Sequence, residues 1–461
     1  ERECSVQRRN QKVVEETPAP HLPPATRRAL LDAAVRLGEA VQYRSAGTVE
    51  FVYDAERDEF YFLEVNARLQ VEHPVTEMVT GLDLVECMLR VAAGDPLDWD
   101  TLARTPTGAA IEVRLYAENP LRSFQPSPGA LTEVKFPTGV RVDGWVDTGT
   151  EVTAHYDPLL AKVIVRGEDR GAALDALTAA LAEARVQGIA TNLEYLRHVV
   201  ASPAFREGGV STRFLNDLEF HPPVIEVVEP GTQTSVQDYP GRVGYWNIGV
   251  PPSGPMDDYA FRLANRIVGN EVGAAGLECT LQGPTLRFHA DTVIALTGAP
   301  CPAALEGRDV PFWAPIHVRA GETLRLGRAT SGCRTYLAVR HGIDVPVYLG
   351  SRSTFALGQF GGHAGRTLRP GDVLDIAKEP PPREPQAAPR ELVPTYGSEW
   401  TIGVLYGPHG APDFFTPESM EELFAAHWTV HYNSNRLGVR LTGPKPTWAR
   451  TDGGEAGLHP S

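Results

Sequence analysis

Between residues 48 and 72 the chain alternates polar and apolar side chains on both sides of a charged turn, a pattern that leaves the backbone few ways to run. Residues 48–53 and 60–65 read as the two strands of a hairpin, with the turn at 54–58. A register symmetric about Arg57 sets Glu50 opposite Glu64, and two facing carboxylates repel unless something neutralises them. A divalent cation does so, and Mg²⁺ commonly pairs one or two carboxylates with substrate phosphates. Beyond the hairpin, Glu64, Asn66, Arg68, Gln70 and Glu72 alternate with Val65, Ala67, Leu69 and Val71. An extended chain would carry all five polar groups on one face. The set offers oxygen ligands for a hard cation, a fixed positive charge for an anion and a spare carboxylate for proton transfer. A solvated face of an antiparallel sheet gives the same alternation, so it is the hairpin and the run together that suggest a site.

Residues 1–20 (ERECSVQRRNQKVVEETPAP), residues 47–72 and the continuation HPVTEMVTG from His73 resemble the C-terminal half of the ATP-grasp domain of biotin carboxylases. IEVRLYAENP, FQPSPG, YDPLLAKVIV and QGIATN, within residues 111–217, resemble the biotin carboxylase C-terminal domain. The resemblance implies that Glu50 and Glu64 bind ATP through Mg²⁺ or Mn²⁺, with Asn66 as a further metal ligand. It places Gln7 and Asn10 against the nucleotide, although many members have His where this chain has Asn10. It assigns bicarbonate to Lys12, Arg68, Arg114 and the backbone of Val71, with Lys12, Arg68 and Glu72 as the catalytic set. Glu72 is then the base that deprotonates bicarbonate for attack on the γ-phosphate, and Arg114 stabilises the ureido oxygen of biotin. Taken singly, Lys12 and Arg114 are equally well read as solvated charges, and Arg114 as the outward face of a strand containing Ile111 and Val113.

A complete ATP-grasp enzyme also needs an N-terminal half with a glycine-rich flap and phosphate-gripping lysines. The sequence opens at Glu1 inside a motif and holds no G-x-x-x-x-G-K-[ST] loop, so a fragment is expected. None of Met78, Met88, Met256 and Met420 is followed by Lys, whereas the family's biotinyl-lysine sits in a Met-Lys-Met turn. Biotin is therefore expected on a carrier domain outside these residues.

At 461 residues the chain allows about three domains at roughly 150 residues each. A net charge of −15 disfavours nucleic acid or an anionic membrane as partner, since both call for a basic surface. Cys4, Cys87, Cys279, Cys301 and Cys333 show no close pairing, which signals neither zinc nor a disulfide framework and suggests reduced, mostly buried thiols. No apolar run approaches the roughly 18 residues of a membrane span, and cytoplasm is the default expectation.

Helical spacing appears at residues 25–43 and 172–186, within a region that alternates helix and strand as an α+β domain does. From Ile225 onward, short alternating segments such as 323–326 and 335–339 are punctuated by Gly and Pro and read as mostly β structure. The expected organisation is an ATP-grasp C-terminal part over 1–98, a biotin carboxylase C-terminal domain over 107–218, a linker at 219–224 and a further domain over 225–461. Residues 379–391, with five prolines, read as a loop or a join between subdomains.

In that last domain, residues 249–254 form a turn-rich loop feeding a helix, with Ser253 near its cap, Pro255 in its first turn, Asp257 and Asp258 at the positive end of its dipole and Gly269 as the stop. Such a loop either binds an anion or is only a tight entry turn. Together with GIDVP, LGSRSTF, GQFGG, LYGPHGAPDFFTP and HYNSNRLGVRL, it resembles the carboxyltransferase domain of the allophanate hydrolase subunit 2 type, which is also found in a prokaryotic 5-oxoprolinase subunit. That resemblance implies a cyclophilin-like barrel, here expected to be truncated after DGGEAGLHPS. His409, Asp413, Asn433, Asn435 and Arg436 are candidate active-site residues, and each is equally a turn former.

The order of the two halves resembles the urea carboxylase family. It implies ATP- and bicarbonate-dependent carboxylation of biotin and carboxyl transfer to urea to give allophanate. The partners it implies are a biotin carboxyl carrier, the N-terminal ATP-grasp half, a subunit 1 type carboxyltransferase half, an allophanate hydrolase and a second copy in a homodimer. A guanidine carboxylase of the same architecture, a 5-oxoprolinase-type component and an inert fragment stand as alternatives.

Overall fold

The computed structural model describes residues 1–95, 97, 102, 105–397, 399–407, 409–436 and 438–450. The expected boundary at residue 98 and the stretch 452–461 lie outside them. The chain divides into two compact units, Glu1–Pro222 and Pro223–Ser461.

In the first unit, strands β1 (Glu3–Arg8) and β2 (Gln11–Thr17) form a hairpin whose two-residue turn, Arg9-Asn10, has φ of 49° and 64°. Positive φ at both turn positions matches the twist of the flanking strands, and Asn tolerates it better than most residues. Strand β5 (Ala109–Tyr116) pairs with β2 on one side and with the strand Leu159–Gly167 on the other. The strand Arg141–Gly144 completes an antiparallel five-stranded sheet. On one face Ile111, Val113 and Val163 pack with Leu177, Leu181, Leu196 and Val199 from the helices Arg170–Glu183 and Leu193–Ala201. The other face is covered by α2 (His73–Thr80), whose Val75 and Val79 meet Ala110 and Ile164. β3 (Thr48–Asp54) and β4 (Glu59–Asn66) stand apart as a two-stranded hairpin, and α1 spans Pro24–Ala40.

Glu50 is the register partner of Glu64, as the symmetric hairpin requires, with one irregularity before Phe51. The extended run expected through Glu72 stops at Asn66, however: β4 ends there, and Glu72 has φ −83° and ψ 12° as the residue that begins α2. Pro74 in the first turn explains the change, since its ring presets helical φ and supplies no donor where none is needed. The helix expected over 172–186 ends at Glu183, and Arg185–Gln187 forms a short strand.

The second unit is mostly β. In an antiparallel seven-stranded sheet, Val224–Glu229 lies between the central strand Thr285–Phe288 and Val373–Ile376. A five-stranded sheet runs from Gln233–Gln237 through Gly276–Thr280, Arg334–Val339 and Thr292–Gly298 to Ile316–Val318. Ile225, Val227 and Leu286 from the first sheet share one core with Leu277, Leu296 and Leu337 from the second. The strand order of each sheet is open, so among the described residues the expected barrel is instead two layers around a shared core.

The helix after the 249–254 loop is Asp258–Ile267, and Asp257, not Ser253, caps it by accepting from the Ala260 N–H. Ser253 has φ 57° and Gly254 φ 77°, and a Cβ on Gly254 would stand 3.0 Å from the Pro240 carbonyl. These residues make the entry turn and so cannot start the helix. Of the five cysteines only Cys279 is buried, so the expectation of mostly buried thiols fails. No helix among the described residues is long and apolar enough to cross a membrane.

Candidate active site

The β1–β2 turn brings Lys12 back along its strand, and the start of α2 brings Glu72 to meet it. Lys12 Nζ lies 2.5 Å from Glu72 Oε1 and 2.9 Å from Glu50 Oε1. The other oxygen of Glu72 accepts from Arg114 Nη2 at 2.9 Å. Glu72 is only 2% exposed, so both of its oxygens are held by cations in a largely dry setting. Burial works to raise its pKa, but the hydrogen bond and charge of Lys12, and then Arg114, hold it below the usual carboxylate range. Glu72 is thus an ionised carboxylate between two positive charges.

Around Glu50 the donors converge on a single oxygen. Oε1 accepts from Lys12, from Asn66 Nδ2 at 2.9 Å and from Gln70 Nε2 at 2.5 Å. Asn66 Nδ2 also donates to Glu64 Oε1 at 3.0 Å, so the one amide spans both carboxylates of the hairpin. Among the described residues no three His, Cys, Asp or Glu gather as a metal-binding group. The donor set is two carboxylates and an amide. Half a turn of the Asn66 amide replaces its nitrogen with its oxygen and gives three hard ligands, which suits Mg²⁺ or Mn²⁺ shared with phosphates.

Of the residues read from the sequence, Lys12, Glu50, Glu64, Asn66, Glu72 and Arg114 therefore fall into one hydrogen-bonded cluster. Arg68 joins at its edge, exposed, with Nη2 3.3 Å from Asn66 Oδ1. The Val71 carbonyl accepts from Lys162 Nζ at 2.7 Å. Among the described residues no side-chain hydrogen bond joins Gln7 or Asn10 to the cluster, and the β1–β2 turn already accounts for Asn10. Arg114 is not a solvated charge: it is 8% exposed, and its Nε sits 2.6 Å from the fully buried Glu15.

Sequence reasoning missed Glu15, Lys162 and Arg2, which donates to Gln70 Oε1 at 2.5 Å and to Thr48 at 3.0 Å. Two of them carried a signal. Glu15 follows Val13-Val14 in β2, and Lys162 interrupts the apolar run 159–165, so each puts a charge where a central strand is otherwise buried.

In the second unit, Arg436 is the candidate that reaches a buried acid. Its Nη2 lies 2.7 Å from Glu278 Oε1 and 2.9 Å from the Gly254 carbonyl. Glu278 Oε2 accepts from Tyr336 Oη at 2.9 Å and from the Met256 N–H at 2.8 Å, so this carboxylate ties the entry turn to the five-stranded sheet. His409 instead packs on Phe414, Asn435 pairs with Gly438 through its backbone, and Asp413 is exposed.

Residues 1–99 match the family model of the carbamoyl-phosphate synthase L chain, ATP binding domain; residues 112–217 match the biotin carboxylase C-terminal domain; and residues 248–461 match the carboxyltransferase domain, subdomain A and B. Over its whole length the chain is 57% identical to a urea amidolyase of Saccharomyces cerevisiae and 46% identical to a putative urea carboxylase of Emericella nidulans. It spans only 25% and 38% of those relatives. The crystal structure of the Kluyveromyces lactis urea carboxylase superposes on all of this chain with a TM-score of 0.96 at 58% identity, the match covering 42% of that structure. The chain thus carries, in order, stretches that match an ATP binding domain, the biotin carboxylase C-terminal domain and a carboxyltransferase domain, and over its whole length it is similar to urea carboxylases.

Proposed function

We propose that the protein containing this segment is an ATP-dependent urea carboxylase, and that the Lys12–Glu72–Arg114 cluster is where bicarbonate is activated and biotin is carboxylated. The observation that carries the reading is the placement of Glu72, an ionised, nearly buried carboxylate with a cation on each oxygen. Lys12 and Arg68 supply positive charge to hold bicarbonate, and Glu72 accepts its proton as it attacks the γ-phosphate. Arg114, fixed by Glu15 and Glu72, offers a preorganised charge to the oxygen that becomes anionic on biotin. Glu50, Glu64 and Asn66 would hold the divalent metal, which supplies charge neutralisation to the ATP phosphates when bound. Gln7 stands as a nucleotide contact. The second unit would take the carboxyl group onward to urea, with Arg436 and Glu278 at its polar centre.

Support for a larger protein comes from the surface as well. Val52, Tyr61, Leu63 and Val65 of the β3–β4 hairpin and Leu31 and Val35 of α1 are exposed apolar side chains of the kind that a missing neighbour covers. The remaining ATP-grasp half, a biotin carrier and a subunit 1 type half are the neighbours proposed.

The test uses the full-length biotinylated protein with MgATP and bicarbonate, and ADP release is followed on adding urea or guanidine. Urea-stimulated ADP release with allophanate as product is expected. Stimulation by guanidine alone would transfer the assignment to a guanidine carboxylase, and stimulation by neither would end it.

A further inference from the structure

Behind the cluster lies a second pair of acids that the proposed chemistry does not use. Glu112 and Glu15 are register partners on β5 and β2, and both are 0% exposed beneath α2. Direct cross-strand partners have Cβ atoms roughly 4.5–5.5 Å apart. Neither oxygen of Glu112 has a hydrogen-bond partner, and Glu15 Oε2 has none.

The charged groups on the surrounding elements are otherwise engaged. From β5, Arg114 donates to Glu15 and Glu72. From the strand Leu159–Gly167, Lys162 donates to the Val71 carbonyl and pairs with Asp143 at 3.3 Å. From α2, Glu77 is taken by Arg141 and the Leu84 N–H, His73 bonds the Gln70 carbonyl, and Glu72 at its start lies between Lys12 and Arg114. A fully buried carboxylate with no donor is untenable, whereas a carboxylic acid in the same place needs only an acceptor, and Glu15 Oε2 is one.

We propose that Glu112 is a positioning residue: its carboxyl group carries a proton at neutral pH and donates it as a hydrogen bond to Glu15 Oε2, which keeps Glu15 a carboxylate bound to Arg114. One proton is thereby held between two acids, and the charge left on Glu15 offsets Arg114 from behind while Glu72 meets it in front. The electrostatics agree. Burial, followed by the charge of Glu15, pushes Glu112 up to about 9, while burial raises Glu15 only to about 7 because Arg114 draws it back. The consequence for catalysis rests on the role proposed for Arg114, but the protonation does not.

The experiment compares wild type, Glu112→Gln and Glu112→Leu in the full-length protein. The Gln amide can donate to Glu15 as a carboxylic acid does, so bicarbonate-dependent ATP cleavage at pH 7.5 should stay within about tenfold of wild type. Its decline above about pH 9 should move to higher pH, because the titrating proton is gone. Glu112→Leu leaves Glu15 Oε2 without a donor and should fall well below Gln. A Gln variant as inactive as Leu, or one with an unaltered alkaline decline, overturns the proposal.

Calorimetry on the same proteins reads the proton without substrate. A native pKa above the unfolded one means that folding holds an extra proton between the two values. Wild type should therefore lose stability relative to Gln by about tenfold in folding equilibrium per pH unit from pH 6 to about 9, and no further above that. Parallel stability curves overturn the proposal even if the enzyme proves to use no bicarbonate.

Discussion

Replacing Glu72 with Gln separates the chemistry of the site from its architecture. The substitution keeps the size of the side chain and one acceptor oxygen but removes the charge and the capacity to take a proton. Neither cation is stranded, because Lys12 retains Glu50 at 2.9 Å and Arg114 retains Glu15 at 2.6 Å. The structural cost should thus be about 1–3 kcal/mol, as for a weakened buried hydrogen bond, and not the larger penalty of an unpaired buried charge. Loss of a general base costs about 10²–10⁴ in rate. Bicarbonate-dependent ADP release by the full-length protein should fall by that factor while the protein stays folded at 25 °C. The pH dependence adds a second check. The native Glu72 carboxyl lies below its unfolded value, so it stabilises the fold above the ordinary carboxylate range and loses that contribution as pH falls through the depressed value. The Gln variant should lack this acid slope. A folded Gln variant that cleaves ATP within a few-fold of wild type at saturating bicarbonate would refute the assignment of Glu72 as base.

Glu64→Gln removes one of the two hairpin carboxylates, and the Mg²⁺ concentration needed for half-maximal ATP cleavage should rise by roughly tenfold or more; an unchanged Mg²⁺ requirement would remove Glu64 from the metal site. Arg114→Ala should slow carboxylation of free biotin by about 10²–10³, as for loss of a preorganised oxyanion donor. Bicarbonate-dependent ATP cleavage should fall less, because Lys12 still holds Glu72; equal losses would make Arg114 a support for the base alone.

The parts of this site that lie on regular strands were legible in the sequence, and the parts set by a change of backbone were not. The alternation puts polar residues at Glu50 and Glu64, but the pairs beside the turn, such as Asp54 with Glu59, would carry Glu50 to Leu63, and it is the register break between Glu50 and Phe51 that sets Glu50 against Glu64. The same alternation continues to Glu72 without a visible break, and only Pro74 marks the point where strand gives way to helix. Glu72 consequently reaches Lys12 and Arg114 from a helix start and not from a strand face. Glu15, Glu112 and Lys162 were overlooked because isolated charges usually face solvent, while the strands that carry them, β2, β5 and Leu159–Gly167, are the three interior strands of their sheet. In the second unit, the sequence pattern sets Ser253 near the cap and Asp257 only as a charge favoured by the dipole, whereas Asp257 is the cap. The choice depended on the positive φ of Ser253, a turn property that residue type alone does not declare.

The β3–β4 hairpin ties the site to a surface that the described residues leave open. Its period of two places Glu64 and Asn66 on the ligand-bearing face and Leu63 and Val65 on the reverse, while the register break before Phe51 brings Phe62 to the reverse as the partner of Phe51 and leaves Val52 and Tyr61 on the face of Glu50. Phe62, Leu63 and Val65 are 43–59% exposed, so one wall of the proposed metal site has an apolar back that the described residues leave uncovered. If the rest of the ATP-grasp domain covers that back in the full-length protein, burying Leu63 contributes about 1.5–3 kcal/mol, and Leu63→Asp should cost that amount or more. Glu64 is the next residue along the strand, so a shift of the hairpin should also raise the Mg²⁺ requirement for ATP cleavage. Thermal unfolding and Mg²⁺ titration of the full-length variant would show both effects together. A Leu63→Asp protein with wild-type stability and wild-type Mg²⁺ use would mean that the reverse face is bathed in water even in the whole molecule, and that the hairpin holds its metal-binding geometry by its own turn and register alone.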